Sequence, residues 1–257
     1  MLLEAKNVSK IFQARRTSRP VQAVADASLK ARPGQFVAIV GESGSGKSTL
    51  ARILLDLIPA TSGTVELDGT PVAAMTAEQR KAYRRCVQAV FQDPAGSLNP
   101  RKKVERIVGE VIRLHRIATT RDEVRQKVLD VLELVGMSER FLERYPHELS
   151  GGQRQRVLIA RAIALNPRIV IADEAVSALD ASVKAGVLRV MADLKDRLGV
   201  GYVFITHDLP VVKKVADYVY VMRAGRIVEE GPKEAIFTSP SHPYTQALLA
   251  ATLGLME

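Results

Sequence analysis

The run Gly41-Glu42-Ser43-Gly44-Ser45-Gly46-Lys47-Ser48 constrains this chain more than any other feature, because it satisfies G-x-x-x-x-G-K-[ST]. A continuous apolar stretch, Phe36–Val40, precedes it, and helical periodicity over residues 47–57 follows. Strand, glycine turn and helix in that order form the unit in which such a loop binds phosphate. The glycines let the backbone wrap an anion with its N–H groups, and the helix presents its positive end, worth about half a charge. Lys47 is placed to reach the β- and γ-phosphates, and the Ser48 hydroxyl to ligate Mg²⁺. The phosphate-binding set is therefore Gly41, Ser43, Gly44, Ser45, Gly46, Lys47, Ser48 and Thr49. A flexible Gly/Ser connector would account for the loop's composition but not for its flanks.

Apolar runs continue to alternate with amphipathic stretches along the chain. Val87–Phe91 and residues 169–172, 202–206 and 218–222 read as further buried strands, which predicts an α/β fold with a mostly parallel sheet. From about residue 99 to 145 the strand signal gives way to helical candidates at 104–116 and 122–135, with Pro100 and Pro146 at the margins. This predicts an α-helical insertion in the α/β core. After Gly231-Pro232 two short helical stretches are expected, the second starting near Pro243, since proline suits a first helical turn. No internal repeat or low-complexity segment is present, so a single functional unit is expected.

Two further constellations carry chemistry. Ile169-Val170-Ile171-Ala172 leads into Asp173-Glu174. A carboxylate at the end of a buried strand can hold the Mg²⁺ that Lys47 and Ser48 imply, and a second one beside it can orient and deprotonate water. Spacing alone does not say which acid takes which role. Leu149-Ser150-Gly151-Gly152-Gln153 stands immediately before a helical stretch at 154–165 and could offer another set of N–H groups to phosphate. It is also what an ordinary helix N-cap looks like.

Composition narrows the partners. Of 257 residues 47% are hydrophobic and 25% charged, enough apolar side chain to exclude disorder as a description of the whole. The formal charge of +9, from 37 basic and 28 acidic residues, favours anionic partners without choosing among nucleotide, nucleic acid and membrane surface. No apolar run approaches the roughly 18–20 residues needed to cross a bilayer, and Glu4 and Lys6 interrupt any export signal, so neither is expected. Cys86 is the single cysteine, which excludes an intrachain disulfide and fits a reducing compartment; it reads as a small buried residue. His115 and His147 support no metal site. Basic clusters at Arg15-Arg16 and Arg19, Arg80-Lys81 with Arg84-Arg85, and Arg101-Lys102-Lys103 read as solvated faces, some of which could meet membrane headgroups or membrane subunits.

In combination these elements resemble the nucleotide-binding subunits of ATP-binding cassette (ABC) transporters, over essentially the whole chain. The phosphate-binding loop, Leu149-Ser150-Gly151-Gly152-Gln153 and Ile171-Ala172-Asp173-Glu174 stand in that family's order. Gln92 within Val90-Phe91-Gln92-Asp93-Pro94 resembles its Q-loop, Ser177-Ala178-Leu179-Asp180 its D-loop, and His207 in Ile205-Thr206-His207-Asp208 its switch histidine. The resemblance implies a P-loop NTPase (RecA-like) core, an antiparallel N-terminal β portion, an inserted helical subdomain at about 96–157 that contains the signature, and a helical extension at about 231–257. It also implies two such domains closing head to tail on two ATP molecules, with Ser150 and Gly152 of one against the γ-phosphate held by Lys47 of the other. Glu174 would then be the general base, Asp173 the Mg²⁺ carboxylate, and Gln92 a sensor of metal and membrane subunit. His207 would touch the γ-phosphate and Asp180 would cross the dimer interface, with Gly151 and Gln153 completing the signature. Phe12 falls where the family stacks an aromatic on adenine; a core Phe ending the first strand is the competing reading.

Gln92-Asp93-Pro94-Ala95-Gly96-Ser97-Leu98-Asn99-Pro100-Arg101 and the tail Ser241-His242-Pro243-Tyr244-Thr245-Gln246-Ala247-Leu248-Leu249 resemble the oligopeptide/dipeptide/nickel importer branch. Ala175-Val176 replaces the Pro-Thr common after the acidic pair, a variation similar to the nickel subgroup and some peptide subunits. The expectation is an ATPase subunit that uses ATP and Mg²⁺ to drive uptake of peptides or of nickel or other metal chelates. It would pair with a second cassette (a heterodimer preferred), two membrane permeases and an extracytoplasmic binding protein, at the cytoplasmic face of the inner membrane. A soluble cassette ATPase acting on nucleic acid or ribosomes is the main alternative, and a regulatory nucleotide-binding module a third. Nucleic acid is not expected as a partner.

Overall fold

The computed structural model describes residues 1–13, 20–91 and 94–253. Two sheets organise it. The first is antiparallel: β1 (Leu3–Phe12) pairs with β2 (Val21–Ala31) and with β4 (Ser62–Leu67), which turns into the short β5 (Thr70–Pro71). The second is built on β3 (Phe36–Val40), which lies between β8 (Gly201–Ile205) and β9 (Tyr218–Arg223), both parallel to it. β7 (Ile169–Asp173) and β6 (Val87–Phe91) extend it in parallel, and β10 (Arg226–Pro232) closes the other edge antiparallel to β9. The architecture is thus α/β with a mostly parallel second sheet, as the alternating pattern predicts.

The continuous apolar runs are explained by burial on both faces. Side chains alternate across a strand, so Val37 and Ile39 of β3, Ile169 and Ile171 of β7, and Val203 and Ile205 of β8 enter one core. That core also holds Leu50 and Leu54 of α1 (Lys47–Leu54) and Leu3, Val24 and Leu29 of the antiparallel sheet. Val170, Ala172, Tyr202 and Phe204 face the opposite way, toward a second core. There they meet α4 (Val104–Leu114), α5 (Arg121–Leu134), α6 (Gly151–Ile163) and α7 (Ala181–Leu198). α2 (Ala77–Cys86) carries the Arg80 and Arg84 cluster onto Asp56, and its Cys86 is half-buried. The short α3 (Pro94–Ser97) follows β6 in the chain. A third core gathers Ala38 and Val40 with α8 (Leu209–Val215), α9 (Lys233–Thr238) and α10 (Pro243–Leu253).

Element boundaries differ from the periodicity for local reasons. The first helix stops at Leu54, short of the 57 its periodicity suggests, because Asp56 takes a positive φ of 55° and turns the chain. α6 begins three residues before the expected 154, because Ser150 caps it and both glycines lie inside its first turn. α2, α7 and β10 are not among the elements read from the apolar pattern, although Thr76 and Gln79 form a capping box at the start of α2 and Gly199 ends α7 in the left-handed conformation.

Candidate nucleotide-binding site

The carboxyl ends of β3, β7 and β8 and the loops that follow them meet at one end of the parallel sheet. The loop after β3 is held tightly by its neighbours. A Cβ on Gly41 would lie 2.0 Å from the Met222 carbonyl oxygen, and one on Gly46 2.2 Å from that of Ala23. Both also take positive φ, 149° and 104°, so glycine is required twice over at each. Gly225, in the turn between β9 and β10, donates its N–H to the Ser45 carbonyl at 2.9 Å and accepts from Ala25 N–H at 2.8 Å, tying the loop to both sheets.

Lys47 and Asp173 are the charged centre, with only 5% and 8% of their surfaces exposed. The Lys47 ammonium donates to the carbonyls of Gly41 (2.8 Å) and Glu42 (2.7 Å) and to Ser45 Oγ (3.2 Å). Burial pushes its pKa down, with the carboxylates of Glu174, Asp173 and Glu42 pulling the other way. The Ser48 hydroxyl donates to Asp173 Oδ1 at 3.0 Å, joining the start of α1 to the end of β7 across 125 residues. Burial pushes the Asp173 carboxyl up, an effect the Ser48 hydrogen bond opposes.

Glu174 stands beside this centre in an unusual backbone state, φ 49°. Its N–H donates to the Ile205 carbonyl at 2.9 Å, and its own carbonyl accepts from Ser177 N–H (3.1 Å) and Oγ (2.9 Å). A non-glycine residue held in this region by several bonds is a common feature of functional sites. The exposed His207 brings Nδ1 to 3.4 Å from Glu174 Oε1. The acidic pair therefore divides by environment, one carboxylate buried against a hydroxyl and one open beside an imidazole.

The remaining candidates lie elsewhere. Ser150 caps α6, accepting from Gln153 N–H at 3.3 Å while Gln153 Oε1 accepts from Ser150 N–H at 2.9 Å. A Cβ on Gly152 would lie 2.3 Å from Val183 Cγ1 and one on Gly151 3.3 Å from Leu179 Cδ2, so the signature packs on the Asp180 segment and the start of α7. The hydrogen bonds described for Ser150 and Gln153 side chains stay within that turn and do not reach the phosphate loop. Ser150, Gly152 and Gln153 line a concavity of about 380 Å³ with Arg156 and Ser182. Asp180 is exposed at the N-terminus of α7 and caps nothing with its side chain. Phe12 is 43% exposed, with the Lys10 ammonium 5.3 Å from its ring centre, so it is not a core residue. It pairs with Val21, two residues before the Ala23 that crowds Gly46. Gln92 and the Arg15, Arg16 and Arg19 cluster lie outside the described residues.

Residues 24–177 match the ABC transporter family, and residues 228–255 match the oligopeptide/dipeptide transporter C-terminal region. This chain belongs to the ABC transporter family. A probable peptide ABC transporter ATP-binding protein of Sinorhizobium fredii is 49% identical over 231 residues, 90% of this cassette and 65% of that protein. The dipeptide transport ATP-binding protein of Escherichia coli is 46% identical over 255 residues, 98% of this cassette and 76% of that protein. A glutathione import ATP-binding protein of Salmonella paratyphi A is 45% identical over 92% of the cassette, which spans only 38% of it. A solved ATP-binding cassette, dimeric in a post-hydrolysis state with ADP and phosphate, superposes with a TM-score of 0.78 at 31% identity, covering 90% of this cassette and 98% of that one.

Two contacts of this ABC cassette escape sequence reading. Lys184 of α7 donates to Asp208 Oδ2 at 2.5 Å while Asp208 Oδ1 accepts from Val211 N–H, which fastens the His207 loop to the helix after Asp180. Tyr244, in the tail, offers its hydroxyl oxygen to Glu42 N–H of the phosphate loop at 3.1 Å. The tail motif itself is visible in the sequence; its partner lies 202 residues away and no local pattern encodes it.

Proposed function

We propose that this cassette is the ATP-hydrolysing subunit of a peptide importer, working as one of two cassettes beneath separate permease subunits. The observation that carries the reading is the Ser48–Asp173 contact beside the buried Lys47, with Glu174 and His207 adjacent. The peptide assignment is supported by the match of residues 228–255 and by the peptide and dipeptide transport for which the relatives are named; nickel or another metal chelate is the variant solute of the same branch.

In this reading the loop from Gly41 to Thr49 cradles the triphosphate with backbone N–H groups, and Lys47 leaves its loop carbonyls to neutralise phosphate charge. Phe12, exposed at the end of β1, stacks on the base. The oxygen set of Ser48, Asp173 and Gln92 suits Mg²⁺, which prefers hard oxygen ligands; when bound it would screen the charge on the phosphate oxygens. Glu174 takes the proton of the attacking water as its oxygen bonds to the γ-phosphorus and the bond to the ADP oxygen breaks. His207, next to Glu174, holds the γ-phosphate. Ser150, Gly151, Gly152 and Gln153 of a second cassette complete the site from the other side, with Asp180 at the interface. Within the chain we assign about 96–157 as the inserted helical subdomain and about 231–257 as the branch extension. No described helix is long and apolar enough to cross a membrane. Docking on permeases, at the cytoplasmic face of the inner membrane and in series with an extracytoplasmic binding protein, is the proposed arrangement. Pairing with a different cassette is our preferred form.

The test is Glu174→Gln. It keeps size and hydrogen bonding and removes the base, so ATP-dependent dimers should persist while turnover falls at least about a hundredfold. Hydrolysis at the wild-type rate would remove Glu174 from that role.

A further inference from the structure

The last helix of the chain reaches back to the loop at its beginning. Tyr244 is 6% exposed and, with Leu249 of α10, packs against Ala38 and Val40, the strand residues that deliver the chain into Gly41. Its hydroxyl oxygen accepts from Glu42 N–H at 3.1 Å. The carbonyl of the same residue accepts from the Lys47 ammonium at 2.7 Å. Glu42 is therefore gripped at both ends, once by the lysine read here as the phosphate ligand and once by the tail.

The tyrosine is itself braced. The Arg223 guanidinium lies 4.9 Å from its ring centre, directly after the Met222 whose carbonyl crowds Gly41. The turn before it is pinned to β10, where the Glu229 carboxylate accepts from Ser241 N–H (2.7 Å), Ser241 Oγ (2.8 Å) and His242 N–H (3.2 Å). Tyr244 N–H donates to His242 Nδ1 at 3.1 Å. The residue types of Ser241-His242-Pro243-Tyr244 follow from these contacts. Serine and histidine anchor the turn, proline opens the helix, and tyrosine projects onto the loop.

We infer that Tyr244 is a positioning residue for the phosphate-binding loop, and that the tail serves as a brace that preorganises it. The inference rests on reading that loop as the nucleotide site. When the Lys47 ammonium moves from the Glu42 carbonyl to a phosphate, the Tyr244 hydroxyl is the grip on that residue that does not have to change. Without it, the free loop spreads over more conformations, and apparent affinity falls in proportion to the competent fraction.

The experiment compares the full chain with Tyr244→Phe and Arg223→Gln. Amide hydrogen exchange without nucleotide, equilibrium binding of MgADP, and thermal unfolding are measured on each. Loss of one hydrogen bond predicts faster exchange confined to residues 41–46 and an affinity reduced about three- to tenfold in Tyr244→Phe. Its melting temperature should fall by no more than about 2–4 °C, and Arg223→Gln should shift the loop exchange and the affinity less. Unchanged loop exchange in Tyr244→Phe, or faster exchange spread evenly over the chain, would overturn the brace. Failure of the wild-type chain to bind MgADP would instead overturn the nucleotide reading, and the exchange arm, which uses no nucleotide, would still decide the brace.

Discussion

Asp173 and Lys47 show what it costs to build this site before anything fills it. Both are buried, and burial shifts each toward its neutral form, the carboxyl upward and the ammonium downward. An acid whose pKa is raised on folding keeps its proton longer in the folded chain. Relative stability then falls as pH rises from the unfolded value through the raised folded one, and the penalty is complete only above the folded value. Asp173→Asn keeps an oxygen to accept from Ser48 and removes the charge. It should therefore raise the melting temperature of the nucleotide-free chain at pH 7.5 by about 1–4 °C, with a smaller gain near pH 4.5, while abolishing Mg²⁺-dependent turnover. Calorimetry at the two pH values checks this; a lower melting temperature at pH 7.5 would contradict the desolvation argument.

At the scale of elements, α6 shows one residue serving two purposes. Ser150 closes a capping box with Gln153, which satisfies two of the N–H groups a helix start leaves unpaired. Ser150→Ala should cost about 1 kcal/mol through the cap alone, seen as a drop of about 2–4 °C in melting temperature. Ser150→Thr keeps the cap and should melt near wild type. If turnover falls in the alanine variant by no more than that loss of stability explains, Ser150 is a cap and nothing further. Gly152 in the same turn is demanded by α7, since it leaves no room for a Cβ against Val183, while Gly151 is closely approached by Leu179.

For the whole molecule, the decisive fact is that the signature and the phosphate loop belong to different packing neighbourhoods. Gly151 and Gly152 pack on Leu179 and Val183, whereas Lys47 and Ser48 meet Asp173 at the strand ends. The two segments do not meet within one chain, and the solved cassette it resembles is dimeric. If each nucleotide is shared between two cassettes, specific ATPase activity should fall on dilution once the concentration drops below the dimer constant. It should recover on adding an excess of a hydrolysis-deficient Glu174→Gln partner, toward the undiluted value per wild-type chain, because each mixed dimer keeps one intact site for each wild-type chain. Specific activity independent of concentration down to the monomeric range would rule out the shared site.

Much was legible in the sequence because it is encoded locally. The apolar runs named β3, β7, β8 and β9, since strands buried on both faces must be largely apolar, while β6, at the sheet edge, is only partly buried and admits Gln88. The glycine loop, the acidic pair and the Ser-Gly-Gly cap were readable because backbone conformation and charge chemistry restrict the residue types allowed there. The antiparallel strands and α7 were harder, since they alternate or expose polar faces and carry weaker patterns. What only the tertiary structure decided are the long-range pairings: Ser48 with Asp173, Glu174 with His207, Lys184 with Asp208, and Glu42 with Tyr244. Each joins residues on separate elements, and a distance of about 3 Å between them is set by how the carboxyl end of the sheet and its helices pack, which no window of sequence contains.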